Sequence, residues 1–171
     1  MLNAFISAIQ LLLPAYLANG APTLLINYRK HPLDFGKKLG KNRIFGEGKT
    51  WEGIIFACII AFIAGLLVKH AYYFLNLPWI SINPFGYAFI GLGAMLGDLA
   101  GSFIKRRLNM KRGHNAGLLD MMDFMIGALI FIRILTPYSY WVLIYGLALT
   151  PIIHRLANII GYKVGIKKEP W

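Results

Sequence analysis

The sequence predicts an all-α polytopic membrane protein with about five transmembrane helices. Apolar side chains make up 57% of the 171 residues, and charged side chains only 15%. Charged residues are absent from four long stretches, 1–28, 53–68, 71–97 and 134–153. A helix that crosses a bilayer needs about 20 mostly apolar residues, so each stretch can form or anchor one. Soluble domains carry about 25% charged residues, and disorder requires low hydrophobicity, so both classes are excluded.

The predicted spans follow one another in a single membrane domain, 1–171. The first covers about 2–26, and we expect Pro14 and the stretch 18–22 to interrupt it. A cleaved signal peptide is the alternative for this span, but no basic region precedes it and it is long for one. The remaining spans are predicted at about 52–73, 85–108, 118–135 and 139–162, with polar loops at 28–51 and 105–117.

The distribution of basic residues predicts the orientation. Seven Lys and Arg residues lie in 28–51, five in 105–117 and four from Arg155 onward, whereas the opposite side holds only Lys69 and Arg133. Because basic loops face the cytoplasm, the N-terminus is expected outside and the C-terminus inside. The net charge of +11 is therefore attributed to topology, and no nucleic-acid partner is predicted.

Acidic residues within the spans indicate a functional site. Asp98, Ser102 and Lys105 are spaced by four and three residues and share one face of the third span, while Asp120 and Asp123 begin the fourth. Acids inside a membrane are costly and usually functional. Three carboxylates without a His or Cys cluster suit Mg²⁺. The alternative is that each acid pairs with a local base or lies at a helix N-terminus.

Basic residues flank these acids on two segments. Lys105, Arg106 and Arg107 end the third span, and Lys49 precedes the second span in a glycine-containing segment. Lys49 can supply a point charge to a phosphate, and Thr50 can cap the next helix. The alternative is that these basic residues only set the topology.

Two ordered motifs carry a resemblance to a known family. Residues 97–106 (GDLAGSFIKR) with 120–123 (DMMD), and residues 49–53 (KTWEG), resemble the signatures of the CDP-diacylglycerol synthase (phosphatidate cytidylyltransferase) family. The short chain and residues 13–22 and 43–46 resemble its archaeal branch, the CDP-archaeol synthases. The resemblance runs from about Pro14 to Gly127. The segment before Asp120 is shorter than in the bacterial members, so His114 is only a secondary candidate.

The resemblance implies a reaction and a set of roles. CTP and an unsaturated archaeal ether lipid phosphate, a bis-geranylgeranylglycerol phosphate, would give CDP-archaeol and pyrophosphate with Mg²⁺ as cofactor. The implied catalytic residues are Asp98, Asp120, Asp123, Lys105 and Ser102, with the three aspartates as metal ligands. The implied CTP and substrate contacts are Lys49, Thr50, Glu52, Arg43, Arg106 and Asn19.

The expected setting is the cell membrane, with the site facing the cytoplasm. The partners are CTP, an isoprenoid ether lipid phosphate and membrane lipids, and a homodimer is kept as a hypothesis. We expect spans one to three to flank a groove for the isoprenoid chains. Two alternatives remain open: a transporter with the aspartates as its cation path, and a CDP-alcohol phosphotransferase. The transporter is disfavoured because the chain has no internal repeat, and the phosphotransferase because its DG-x-x-AR opening is missing.

Overall fold

Five long helices dominate the computed structural model, which describes residues 2–25, 27–28, 30–111, 114–166 and 169. The helices are α1 (Leu2–Gly20), α2 (Trp51–Phe74), α3 (Pro84–Arg107), α4 (Leu118–Leu135) and α5 (Tyr140–Lys163). A 3₁₀ helix, Ala21–Leu25, follows α1. The segment before α2 contains a small antiparallel hairpin of β1 (Lys38–Leu39) and β2 (Asn42–Arg43). The predicted all-α fold is confirmed.

Among the residues that the structure describes, four helical segments are long and apolar enough to cross a membrane: Leu2–Leu25, Trp51–Phe74, Pro84–Arg107 and Tyr140–Lys163. The helix α4 has 18 residues and carries three charged side chains. Its length of about 27 Å is close to the apolar thickness of a bilayer, about 30 Å. It packs antiparallel to α3, with Leu135 beside Gly86 and Asp123 beside Gly101. This packing supports a fifth crossing, which stays a prediction together with the orientation of the termini.

Two boundaries differ from the expectation. The helix α1 continues through Pro14, so the predicted interruption there is wrong, although the helix does end at Gly20. Proline removes only the hydrogen bond to the carbonyl of Gln10, and its ring is fully buried in the bundle, where it packs. The residues Lys105–Arg107 form the last turn of α3 and do not belong to the following loop.

Glycines bring the backbones of α3 and α4 into direct contact. A methyl group at Gly97 would lie 2.1 Å from the carbonyl oxygen of Asp123, and one at Gly127 would lie 2.2 Å from that of Gly93. Small residues permit this close approach between membrane helices. The seam between the two helices fixes the spacing of the acids that they carry.

A buried glutamine of α1 binds the connection between α2 and α3, at the end of the bundle away from these acids. The Nε2 group of Gln10 donates to the carbonyl of Ile80 at 2.7 Å, and its Oε1 accepts from the Ile80 N–H at 2.8 Å. The same amide lies 3.3 Å from the hydroxyl of Tyr87. The connection between α2 and α3 is thereby tied to α1.

Candidate active site

A polar cleft of about 270 Å³ lies where the C-terminal ends of α1, α3 and α5 meet the N-terminal ends of α2 and α4. Its wall brings together most of the residues singled out in the sequence. The predicted residues that line it are Asn19, Lys49, Thr50, Asp98, Lys105, His114, Asp120 and Asp123. Residues separated by up to 104 positions in the chain thus share one surface.

Two lysine–aspartate ion pairs, hereafter the cleft pairs, lie on this wall. Lys49 Nζ donates to Asp98 Oδ2, and Lys105 Nζ donates to Asp120 Oδ1. The side chains of Lys49 and Asp98 keep 27% and 22% of their surface exposed. Both cleft pairs are therefore accessible to a ligand that enters the cleft.

The cleft aspartates of α4 also accept hydrogen bonds from nearby backbone N–H groups. Asp120 Oδ2 accepts the N–H of Ala116 at 2.8 Å, which closes the turn before α4. Asp123 is buried, and its Oδ1 accepts the N–H of Phe124 at 2.6 Å. The Asp123 carboxylate also lies against Gly101 of α3, where any side chain would displace it.

The donor set fits a hard divalent cation that also binds substrate. Across the described parts of the chain, no three His, Cys, Asp or Glu side chains are grouped closely enough to hold a metal ion. However, Asp98, Asp120 and Asp123 all face the one cleft, and lysine ammonium groups compensate two of them. Mg²⁺ typically takes one or two carboxylates and completes its shell with phosphates and water. The three aspartates therefore supply the type of ligand that Mg²⁺ prefers, although the structure does not group all three around one point.

The backbone around Lys49 holds it at the cleft. The carbonyl of Lys49 accepts the N–H of Leu33 at 2.9 Å, and the N–H of Trp51 donates to His31 at 3.1 Å. Thr50 is buried and caps α2 by accepting the N–H of Gly53 at 3.3 Å. The cap predicted for Thr50 is thereby confirmed.

Three residues predicted to contact substrate, Arg43, Glu52 and Arg106, make contacts within the described chain. Arg43 binds Asp34, and Glu52 accepts from His31 Nδ1 at 2.5 Å. The carbonyl of Arg106 accepts from Asn42 at 2.9 Å. None of the three is among the described residues that line the cleft. The Arg43 pair lies within the 30–50 segment, while Glu52 and the backbone of Arg106 tie that segment to α2 and α3.

Ser102 lies behind the cleft wall. It is buried, with 3% of its surface exposed, one turn from Asp98 on α3. It is not one of the described lining residues. Its contribution is therefore expected to be indirect.

Asp34 is the centre of a second charged cluster, hereafter the hairpin anchor, formed with Arg43 and the backbone of Gly36, Phe45 and Gly46. Arg43 Nη2 donates to Asp34 at 2.5 Å, and the N–H groups of Gly36, Phe45 and Gly46 donate at 3.1, 3.2 and 3.0 Å. Burial alone would raise the pKa of Asp34, but these hydrogen bonds outweigh it and hold the pKa well below its usual range. The same ion pair raises the pKa of Arg43.

Two polar residues of α5 in the cleft were not predicted from the sequence. His154 and Asn158 line the cleft, beside Asn19 and Thr23 of the first helical segment. The available signal was their spacing of four residues, which places two polar side chains on one face of an otherwise apolar helix.

An apolar groove of about 590 Å³ opens from the cleft between α1 and α5. The residues Asn19, Thr23, His154 and Asn158 line both spaces, so the two are continuous. Of the predicted spans one to three, only α1 lines this groove, and α5 forms its other side. Alanines of α1 and α2, among them Ala15 and Ala57, pack into the core and close the space between those helices.

Comparisons with known proteins agree with this arrangement. The family model described as "CarS-like: CDP-archaeol synthase" matches residues 1–171. A CDP-archaeol synthase of Pyrobaculum calidifontis is 39% identical over 99% of this chain and 100% of its own. One of Pyrococcus horikoshii is 42% identical over 99% of each chain.

A solved structure described as an intramembrane enzyme for archaeal membrane lipids biosynthesis is also similar. It superposes with a TM-score of 0.74 at 37% identity, and the match covers 89% of this chain and 92% of that one. The fold, the motifs and the full-length similarity lead to one assignment. The chain belongs to the CDP-archaeol synthase family, whose members are membrane-embedded cytidylyltransferases.

Proposed function

We propose that the chain transfers the cytidylyl group of CTP to an unsaturated archaeal ether lipid phosphate, a bis-geranylgeranylglycerol phosphate, and releases pyrophosphate. One observation carries the proposal: a charged cleft with two lysines and three aspartates opens directly into an apolar groove. The cleft suits a triphosphate, and the groove suits hydrocarbon chains. Membership of the CDP-archaeol synthase family agrees with both.

Lys49 and Lys105 are proposed to bind phosphate oxygens. In the structure each is paired with an aspartate that faces the cleft, so incoming phosphates can take over the ammonium groups. The aspartates released from these pairs would hold Mg²⁺ together with Asp123. When bound, Mg²⁺ offsets the charge of the triphosphate and of the pyrophosphate leaving group.

The chemical step requires positioning more than covalent help from the protein. An oxygen of the lipid phosphate attacks the α-phosphorus of CTP, a new P–O bond forms, and the bond to the β-phosphate oxygen breaks as pyrophosphate leaves. The lysines hold the two anions side by side and offset their mutual repulsion.

The other predicted residues take supporting roles in this proposal. Asn19 and Thr50 line the cleft and are expected to contact substrate. Arg43, Glu52 and Arg106 hold the 30–50 segment that presents Lys49. Ser102 supports the part of α3 that carries Asp98.

The cleft is proposed to face the cytoplasm, where CTP is available. The described parts of the basic segments, 30–51 and 105–111, lie at the cleft end of the bundle, and Arg155 and Lys163 lie in the C-terminal half of α5 at the same end. The bias of basic residues toward the cytoplasm supports this orientation.

Pyrophosphate release by the purified protein in detergent tests the proposal. With CTP, Mg²⁺ and the lipid phosphate present, we expect equal amounts of pyrophosphate and CDP-lipid, and neither product when any one of the three is omitted. Cation flux in proteoliposomes without pyrophosphate release would instead support the transporter. CMP release from a CDP-lipid and an alcohol would support the phosphotransferase.

A further inference from the structure

The apolar groove follows parallel faces of α1 and α5. The two helices run in the same direction, since Phe5 contacts Tyr145 and Tyr16 contacts Thr150. Asn19, at the polar end, lies fourteen residues along α1 from Phe5, a distance of about 21 Å at 1.5 Å per residue. The hydrocarbon core of a bilayer is about 30 Å thick, so the apolar part of one leaflet is about 15 Å deep. The groove can therefore hold a whole lipid chain.

An aromatic pair closes the far end of the groove. The rings of Phe5 and Tyr145 meet edge to face, with centroids 5.3 Å apart. Trp141 lies beside Tyr145 at 6.1 Å. Rings at these distances are in contact, so they leave no passage for a hydrocarbon chain between them.

The base of the groove is fixed between its two ends. Thr150 donates its single hydroxyl proton to the carbonyl of Gly146, so Tyr16 must be the donor in the 2.8 Å hydrogen bond between the two hydroxyls. The Tyr16 ring also packs edge to face on Phe124 of α4, with centroids 5.7 Å apart. These contacts join α1, α4 and α5, so they hold the walls of the groove in place relative to one another.

From this geometry we propose that Phe5 and Tyr145 form an end stop that sets the longest lipid chain the protein accepts. The inference rests on the proposed function, because the lipid phosphate must be held at the polar end for the chain to be measured from there. A chain that reaches the pair has all its methylene groups buried in the groove. A longer chain must turn out into the bilayer and gives up contacts with α1 and α5.

Substitution at the end stop should change the preference for chain length. The probes are ether lipid phosphates with farnesyl, geranylgeranyl or geranylfarnesyl chains, and the readout is the ratio of kcat/KM values between two probes within one variant. In Phe5→Ala and Tyr145→Ala we expect the ratio of geranylfarnesyl to geranylgeranyl to rise about tenfold, the value of burying one or two more methylene groups. Phe5 is 37% exposed, so its removal opens the groove and leaves no closed cavity in the core.

A second variant tests the opposite direction. Ile9 lines the groove between the end stop and the cleft and is 40% exposed, so Ile9→Trp should shorten the groove without entering the core. We expect the ratio of farnesyl to geranylgeranyl to rise about tenfold in this variant. The matched control is Phe74→Ala, which removes an exposed aromatic ring near the same end of the bundle but outside the groove. Its ratios should equal those of the wild type.

The outcomes separate this inference from the function on which it rests. Unchanged ratios in active Phe5→Ala, Tyr145→Ala and Ile9→Trp variants overturn the end stop and leave the proposed function standing. Wild-type protein that releases no pyrophosphate with any of the three probes overturns both. Because each ratio is internal to one variant, a loss of folded protein does not imitate either result.

Discussion

Two aspartate ion pairs at the same end of the bundle differ in what surrounds them. The hairpin anchor encloses Asp34, whose side chain has no exposed surface and accepts hydrogen bonds from Arg43 and three backbone N–H groups. Asp98, paired with Lys49, keeps 22% of its side chain exposed on the cleft wall. A carboxylate whose acceptor sites are all filled stabilises a loop, whereas one that faces a cleft can exchange its partner for a ligand. Four predictions test this contrast.

The largest effect is expected at the cleft. Asp98→Asn should lower turnover about 1,000-fold, because the variant loses a charge that balances the metal and the phosphates, a loss of the size seen for electrostatic groups in active sites. The protein should remain folded in detergent, as judged by its elution and its melting curve. Asp34→Asn is the matched change at the hairpin anchor and should lower the melting temperature instead. Equal losses of activity per folded molecule in both variants would contradict the contrast.

The lysine of the other cleft pair should follow the same pattern. Lys105→Ala is expected to lower kcat/KM about 100-fold, since it removes a phosphate contact and leaves Asp120 without its partner. Lys37→Ala, an exposed lysine of the hairpin, should have almost no effect. Initial rates at varied CTP and varied lipid phosphate measure both. Small, equal effects in the two variants would mean that the basic residues only set the topology.

The contribution of the hairpin anchor to stability should depend on pH. The pKa of Asp34 is lower in the folded chain than in the unfolded one, so the group stabilises the fold above its unfolded pKa of about 3.9, and this contribution disappears as the pH falls below that value. We expect Asp34→Asn to lower the free energy of unfolding by about 1–2 kcal/mol near neutral pH. The difference in this free energy between the wild type and the variant should narrow below about pH 4. Melting curves across this range provide the test. A difference in stability that widens on acidification would contradict the stabilising role of the ionised Asp34 carboxylate.

The smallest effect is expected at Ser102. Its side chain is buried behind the cleft wall, so Ser102→Ala should lower kcat about tenfold, the low end of the range for residues that act through a neighbour. A Mg²⁺ titration distinguishes its role, since the aspartates still hold the ion and extra Mg²⁺ should not restore the rate. Wild-type kinetics at all Mg²⁺ concentrations would show that the serine is only structural.

The helices could be predicted because their cause is local. Long charge-free stretches and the turns between them placed α2, α3, α4 and α5 within one residue of their observed ends. Helical spacing also predicted that Asp98 and Lys105 share a face and that Asp120 and Asp123 begin the next helix. Both pairs of residues do line the cleft.

The groove and the roles of the bases could not be predicted in this way. Which helices become neighbours depends on packing between distant segments, such as the alanine contacts of α1 with α2, and this is why α5 was not predicted as a wall of the groove. Arg43 and Lys49 belong to the same short segment and carry the same charge. Only the fold shows that a buried Asp34 holds the first while the second reaches the cleft.

The glycine seam between α3 and α4 has a mechanical consequence. Two backbones in van der Waals contact cannot slide or separate without losing that contact along several turns, so this pair of helices serves as a rigid frame for Asp98 and Asp123. The other polar residues of the cleft, among them Lys49, His154 and Asn158, belong to the 30–50 segment and α5, outside this frame. The distance between the two acids is therefore set by the contact between two backbones, whatever the rest of the cleft does.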